Sequence, residues 1–328
     1  MRIRATRRGL PLTELGLGVA QFGNLHRETT DADSTAAVDA AWASGIRYFD
    51  TAPHYGLGLA ERRLGSALAN YPRDEFVVSS KVGRILEPSP ETGHLSDDEG
   101  FAVPASLKRV WDFSRDGILR SFEATLERTG LDRMDVLYLH DPDDHWEQAS
   151  TTGIETLIEL REQGLVRAVG AGMNQSAALA ELIRRADVDL VMVAGRFTLL
   201  EQGALDDLLP IASERGVGVV VAGVYNSGLL SRDRPSADAK YNYEQAPTEL
   251  IALATRIAEI CESHGVTLPA AALAYPLLHP AVVSVVVGAR DAYQVAGSVE
   301  RYLTAIPSEL WSDLRSAGLL PTLPLNRS

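Results

Sequence analysis

Short apolar runs alternate with amphipathic stretches along nearly the whole chain. The runs fall at residues 15–19, 46–50, 76–81, 136–140, 168–172, 188–193, 217–222 and 282–287. Each is apolar at successive positions and often β-branched, the pattern of a parallel strand covered on both faces. Between them, apolar positions recur with helical spacing at 33–44, 60–69, 116–129, 154–163, 176–184, 204–215 and 247–264, and again near 293–302. In the 116–129 stretch Ile118, Phe122 and Leu126 share one face, and Ser114 stands where an N-cap belongs. Eight strand–helix units in one chain predict an α/β fold, a closed (β/α)8 TIM barrel, as a single domain spanning 1–328. Residues 2–14 are expected to form a hairpin closing the barrel floor. Connections 82–115 and 223–246 are longer than a barrel needs. They follow the third and seventh strands, where loops shape an active site. A last helix near 308–317 and the proline-rich tail 320–325 are expected to wrap the outside or the mouth.

The second, third and fourth strands lead directly to proton-handling residues. After the second comes Phe49-Asp50-Thr51-Ala52-Pro53-His54-Tyr55-Gly56; the third ends on Lys81 and the fourth on His140. Alone, each has an ordinary explanation. Asp50 suits a turn, Tyr55 a rim aromatic, Lys81 a strand terminus and His140 a satisfied core histidine. Together, on a barrel, they converge on the catalytic face. A phenol with its ordinary pKa of about 10 is a poor base at neutral pH. A buried lysine beside it favours the phenolate, and an aspartate keeps that lysine charged and aimed. The histidine can bond and orient a carbonyl or hydroxyl oxygen. None of the four carries a hydride, so the hydride has to pass between a substrate carbon and a nicotinamide, NAD or NADP.

Composition narrows the alternatives. The chain has 328 residues, 45% apolar and 23% charged, which is ample for a substantial core. A formal charge of −13 argues against a nucleic-acid surface. Arg2, Arg4, Arg7 and Arg8 make the start basic, but the apolar run of a secretory signal is missing. No stretch approaches about 18 uninterrupted apolar residues, so no membrane span is expected. The one cysteine, Cys261, rules out an intrachain disulfide, fits a cytoplasmic protein and suits helix packing. No feature marks an oligomer. Gly16-Leu17-Gly18 with Gly23 imitates a dinucleotide fingerprint, but the spacing is wrong and no helix opens there. The nearby Gln21 and Phe22 are candidates to face substrate. His140, Asp141, Asp143, Asp144 and His145 look like ligands of a divalent metal, as in a barrel hydrolase. Such sites draw ligands from several strands, and no matching His or Asp ends the fifth, sixth or seventh, so no metal is expected. A non-enzymatic nucleotide-sensing module on the same fold is the other alternative; the complete set of four side chains argues against it.

The same residues carry a resemblance. Asp50, Tyr55, Lys81 and His140, with Gly56 and Glu61-Arg62-Arg63-Leu64-Gly65, resemble the aldo-keto reductase superfamily over nearly the whole length. Trp111-Asp112-Phe113-Ser114-Arg115-Asp116-Gly117 and His140-Asp141-Pro142-Asp143-Asp144-His145-Trp146-Glu147 are similar to its sugar-oxidising branch, the D-threo-aldose 1-dehydrogenases and L-fucose dehydrogenases. Pyridoxal 4-dehydrogenase-like members look alike there too. The resemblance implies an NAD- or NADP-dependent enzyme that oxidises an aldose at C1 to the lactone, or reduces an aldehyde. It implies catalytic roles for Asp50, Tyr55, Lys81 and His140. It also implies cofactor contacts at Asp50, Asn174, Asn226, Ser227, Gly228, Gly288, Arg290 and Gln294. Arg290 would pair with a 2′-phosphate and Asp291 would repel it, so NAD and NADP both stay open. Three positions depart from the family pattern: Met173 replaces a serine, Ala194 replaces a glutamine, and the usual stacking tyrosine falls in Ala222-Gly223-Val224-Tyr225. A sugar pocket needs aromatic surface and hydrogen-bonding groups. The candidates are Gln21, Phe22, His54, Trp111, Asp141 and Trp146, with Arg84, His145 and Tyr225 in the same loops.

Overall fold

The eight apolar runs are the eight parallel strands of a closed barrel, in a computed structural model that describes residues 1–242 and 244–323. They are β1 (Leu15–Gly18), β2 (Tyr48–Asp50), β3 (Val77–Val82), β4 (Val136–His140), β5 (Ala168–Met173), β6 (Leu190–Ala194), β7 (Gly218–Ala222) and β8 (Val282–Gly288). Each pairs with its neighbours in sequence, and β8 closes onto β1. The helices are α1 (Asp31–Ala43), α2 (Leu59–Leu68), α3 (Arg115–Thr129), α4 (Ile154–Glu162), α5 (Ser176–Arg185), α6 (Leu208–Arg215), α7 (Thr248–Ser263), α8 (Leu268–Ala274), α9 (Ala292–Leu303) and α10 (Ser308–Ser316). Local chemistry sets their starts. Thr30 and Asp33 form a reciprocal capping box on α1. Ser114 caps α3 as expected, accepting the Gly117 N–H at 3.1 Å. The predicted floor hairpin is Ile3–Ala5 paired with Pro11–Thr13. Among the described residues no helix is long and apolar enough to cross a membrane.

The structure departs from the pattern in three places, in one connection and two helices. The 82–115 connection is largely an antiparallel hairpin, Arg84–Pro88 against Leu107–Trp111. The helix α8 lies in what reads as a connection, because its segment LPAAALA is apolar all round and shows no amphipathic period. The helix expected from 204 opens as a separate short turn, Gly203–Leu205, before α6. In the tail, Leu320 and Leu323 are buried, and Pro321 and Thr322 border a hollow with His279 on the outer wall. Residues 324 and 325 of the expected wrap lie outside the described residues.

Ladder register aligns the carboxyl ends of the strands. Asp50 pairs with Gly18 and Ser79, Lys81 with Tyr138, and His140 with Gly172. Side chains alternate along a strand, so two layers face the barrel interior. The upper layer holds Asp50, Lys81 and His140. The lower, two residues earlier on each strand, holds Tyr48, Ser79 and Tyr138. Both tyrosines are fully buried in the inner cluster with Leu12, Leu190 and Val220. Gly16 leaves room for one of them: a Cβ there would stand 2.8 Å from the Tyr48 ring. The false dinucleotide signature is thus a packing device inside β1.

Candidate active site

Tyr55 is held by close backbone contact. The turn Ala20–Gly23 after β1 lies directly on the Tyr55–Gly56 peptide. A Cβ on Gly23 would fall 2.5 Å from the Tyr55 carbonyl carbon, and one on Gly56, at φ 62, would fall 2.2 Å from the Gly23 oxygen. Neither position tolerates a side chain. The Glu61-Arg62-Arg63 stretch braces this arrangement. Buried Glu61 accepts from Ser80 Oγ at 3.0 Å and from Arg128, tying α2 to β3 and α3. Arg63 donates to the Phe22 carbonyl at 2.6 Å and to Asn24 Oδ1 at 2.8 Å.

At the centre, Lys81 Nζ donates to Asp50 Oδ2 at 2.7 Å, to the Thr51 carbonyl at 2.9 Å and to the Tyr55 hydroxyl at 3.2 Å. All three ammonium protons are used. Burial works against the Lys81 charge, but Asp50 and Tyr55 outweigh it and its pKa is raised. The phenol does not follow the simple expectation of a lowered value. Burial pushes Tyr55 above its ordinary pKa, Lys81 pulls it part of the way back, and the Asp50 charge adds to the rise. At rest Tyr55 is therefore a phenol in a site already built to stabilise its anion. His140 stands edge-on to it, ring centroids 6.0 Å apart at 88°. Burial, then the charges of Arg84 and Lys81, hold His140 well below its ordinary value, so the ring is neutral. His54, 5.6 Å from His140 by ring centroids, is likewise pushed down to about 2 by burial and by Arg84 and Arg109.

The hairpin supplies one wall. Arg84 donates to Asp141 Oδ2 at 2.6 Å and stacks on Trp111, its guanidinium carbon 4.3 Å from the ring centroid. Trp111 also stacks on Phe113 at 6.0 Å and lies 5.3 Å from the His145 ring. Asp141, at φ 38, sits beside His140 with 3.6 Å between Oδ2 and Nε2. Burial raises the Asp141 pKa and Arg84 opposes it. Asp143 and Asp144 are exposed. Among the described residues no group of three or more His, Cys, Asp or Glu side chains is placed to hold a metal ion.

A cleft of about 430 Å³ runs across the mouth, lined among others by Gln21, Asn174, Gly195, Tyr225, Asn226, Ser227, Gly228 and Gly288. Several predicted contacts change role. Phe22 is fully buried in the hydrophobic core, because the tight turn after β1 sends its ring inward, so it cannot face substrate. Gln21 lies against Gly288 in the cleft, with Oε1 buried and unpartnered. Trp146 packs half-buried on the core. Arg290 is not a free phosphate clamp: its guanidinium donates to the Leu25 and Arg27 carbonyls at 2.8 Å each, and to Thr29 Oγ1. Gln294 Oε1 accepts from the Arg290 N–H at 2.8 Å, and Asp291 caps α9. Asn226 spends its side chain between loops, accepting from Thr198 at 2.7 Å and donating to the Gly195 carbonyl at 3.3 Å. Its backbone and its neighbours, successively at φ 45, 57 and 97, face the cleft. Sequence reasoning missed Gly195, Lys240 and Asn242 in this lining. It also missed Tyr48, Ser79 and Tyr138, which two-residue alternation back from Asp50, Lys81 and His140 would have found.

A barrel with this group at the carboxyl ends of β2, β3 and β4 defines a class. The chain belongs to the aldo/keto reductase family, whose model matches residues 14–318, and it is an oxidoreductase. Among its relatives, D-threo-aldose 1-dehydrogenase of a Pseudomonas species is 49% identical over 317 residues, 96% of each chain. Pyridoxal 4-dehydrogenase of Microbacterium luteolum is 38% identical over 333 residues, again 96% of each chain. In fold it matches an aldo-keto reductase from Bacillus halodurans with a TM-score of 0.75, at 24% identity over 100% of this chain and 99% of that one. A glycerol dehydrogenase from Gluconobacter oxydans matches at 0.77, with 23% identity over 100% and 98%.

Proposed function

We propose that the protein oxidises an aldose of the L-fucose or D-threo type at C1 to its lactone, with NAD or NADP as hydride acceptor. The observation that carries this reading is the Lys81 ammonium held between Asp50 and Tyr55, at the barrel mouth that also holds the cleft of about 430 Å³. The 49% identity to a D-threo-aldose 1-dehydrogenase supports the substrate class. Gln21 Oε1, buried and unpartnered in the cleft, supports a polar ligand there. Asn174, Tyr225, Gly228 and Gly288 would hold the dinucleotide along the same lining. When bound, the nicotinamide supplies the carbon that takes the hydride.

The chain's own residues handle the proton. Tyr55 takes it from the C1 hydroxyl, and Lys81 stabilises the phenolate that this requires. Neutral His140 bonds the same oxygen and orients it. Arg84, Asp141 and Trp111 offer the sugar a charged edge and an aromatic face. Aldehyde reduction is the same chemistry reversed, with Tyr55 donating. The test is relative kcat/KM over a panel of aldose epimers and simple aldehydes with both dinucleotides. L-fucose and its D-threo relatives should be oxidised, with the hydroxyl configuration at C2 and C3 mattering more than the 6-methyl group. Inert aldoses together with well-reduced simple aldehydes would overturn the substrate assignment.

A further inference from the structure

Beneath the catalytic layer lies a row of buried hydroxyls that the chemistry above does not use. The Tyr138 hydroxyl is 3.3 Å from that of Tyr48, which is 3.0 Å from Ser79 Oγ. Ser79 Oγ is 2.7 Å from Asp50 Oδ1, while Asp50 Oδ2 takes Lys81. Tyr48, Ser79 and Tyr138 are all 0% exposed. The direction of these bonds follows from elementary chemistry. An ionised carboxylate only accepts, so Ser79 gives its single proton to Asp50. Ser79 then accepts from Tyr48, and Tyr48 accepts from Tyr138. The row is a one-way donor chain with a closed inner end, so it conducts no proton to solvent. The competing acceptor for Ser79, the Phe49 carbonyl, is 3.5 Å away, too far to win while Tyr48 fills the other side.

We propose that Tyr48, Ser79 and Tyr138 are positioning residues whose hydroxyl chain holds Asp50, and through it Lys81, against Tyr55. This role rests on Tyr55 being the proton-transfer group. An apolar layer would serve folding alone. Three hydroxyls, one on each strand and each directly below a member of the upper layer, serve a carboxylate that needs a fixed donor. Without Ser79, Asp50 Oδ1 is buried and unbonded. The carboxylate then pulls harder on Lys81, and the bond from Lys81 to Tyr55 weakens.

The groups facing Tyr55 are Asp50 from β2, Lys81 from β3, His140 and Asp141 from the end of β4, Arg84 from the hairpin and His54 beside it. None of them is substituted in the variants. The readout is the titration of Tyr55 by NMR in protein carrying ζ-13C tyrosine, its signal identified by its loss in Tyr55→Phe. No substrate or cofactor is present, so the outcome is separable from the aldose assignment. Ser79→Ala and Tyr48→Phe should each raise the Tyr55 midpoint by about half a unit or more, Tyr138→Phe by less, and Ser79→Thr should restore it. For an oxidised substrate, kcat should fall about tenfold in the first two while KM holds. Tyr48→Phe keeps its ring and its packing, so it carries the test if Ser79→Ala does not fold. An unchanged Tyr55 midpoint in Tyr48→Phe, with or without a loss of thermal stability, overturns the proposal.

Discussion

At the scale of single residues, opposing forces act on Tyr55. Burial favours the phenol, Lys81 favours the phenolate, and Asp50 keeps Lys81 aimed while adding negative charge of its own. Replacing Tyr55 by Phe removes the proposed proton acceptor, and Tyr55 is not among the residues lining the cleft. Turnover should fall by at least about a hundredfold, the low end of general acid–base contributions, while dinucleotide binding, read by fluorescence titration, stays within a few-fold. Near-normal turnover would end the assignment of Tyr55. Lys81→Met acts differently. It removes the charge that offsets burial, so the phenol rises further and the phenolate becomes scarcer at neutral pH. Residual oxidation should then be lower at neutral pH and keep climbing to higher pH than that of the parent. A pH–rate profile of unchanged shape would show that Lys81 does not tune Tyr55.

At the scale of elements, the barrel strands, most helices and the floor hairpin were legible, because burial on both faces and amphipathic spacing leave direct marks in sequence. The four central residues were legible because strand ends can be counted. The hairpin Arg84–Pro88 with Leu107–Trp111 was not, since its polar and charged residues read as loop. The helix α8 was hidden by its uniform apolarity. Phe22 was misread because sequence places a residue near a mouth but does not say whether the backbone turns its side chain inward. The hairpin has a functional consequence that can be measured. Arg84 joins Asp141 to Trp111 across the wall of the site. Arg84→Ala should raise KM for the aldose about tenfold or more, the size of one charged hydrogen bond. Affinity for the dinucleotide, whose proposed contacts at Asn174, Tyr225, Gly228 and Gly288 do not include Arg84, should be unchanged. An equal loss of both affinities would instead mean that the hairpin had collapsed.

At the scale of the whole molecule, the two ends of the barrel divide the work. Buried carboxylates at the floor are each locked by arginine: Glu14 by Arg4 at 2.6 Å, Asp135 by Arg73 at 2.7 Å and Asp189 by Arg161 at 2.8 Å. Those charges are paired away from the mouth, whereas Lys81 at the mouth is shared between Asp50 and the Tyr55 hydroxyl. Histidines link both ends to pH. His54 and His140 at the mouth are held neutral by burial and by neighbouring cations. His279, before β8, is pushed down to about 4 by burial, and its Nδ1 accepts the Ala281 N–H at 3.2 Å. In the unfolded chain all three would take a proton near the ordinary histidine value of about 6.5. The folded state refuses those protons, so between that value and the depressed ones the unfolded state binds more of them. The stability contributed by the neutral rings is therefore complete above about pH 6.5 and is lost as pH falls, at up to about 1.4 kcal/mol per pH unit for each histidine. The denaturant midpoint should drop steeply from pH 6.5 to 5. His279→Gln removes one of the three protons without touching the mouth, and it should flatten that slope by about a third, whatever it does to stability at pH 8. A slope identical to that of the parent would show that His279 is protonated in the folded protein.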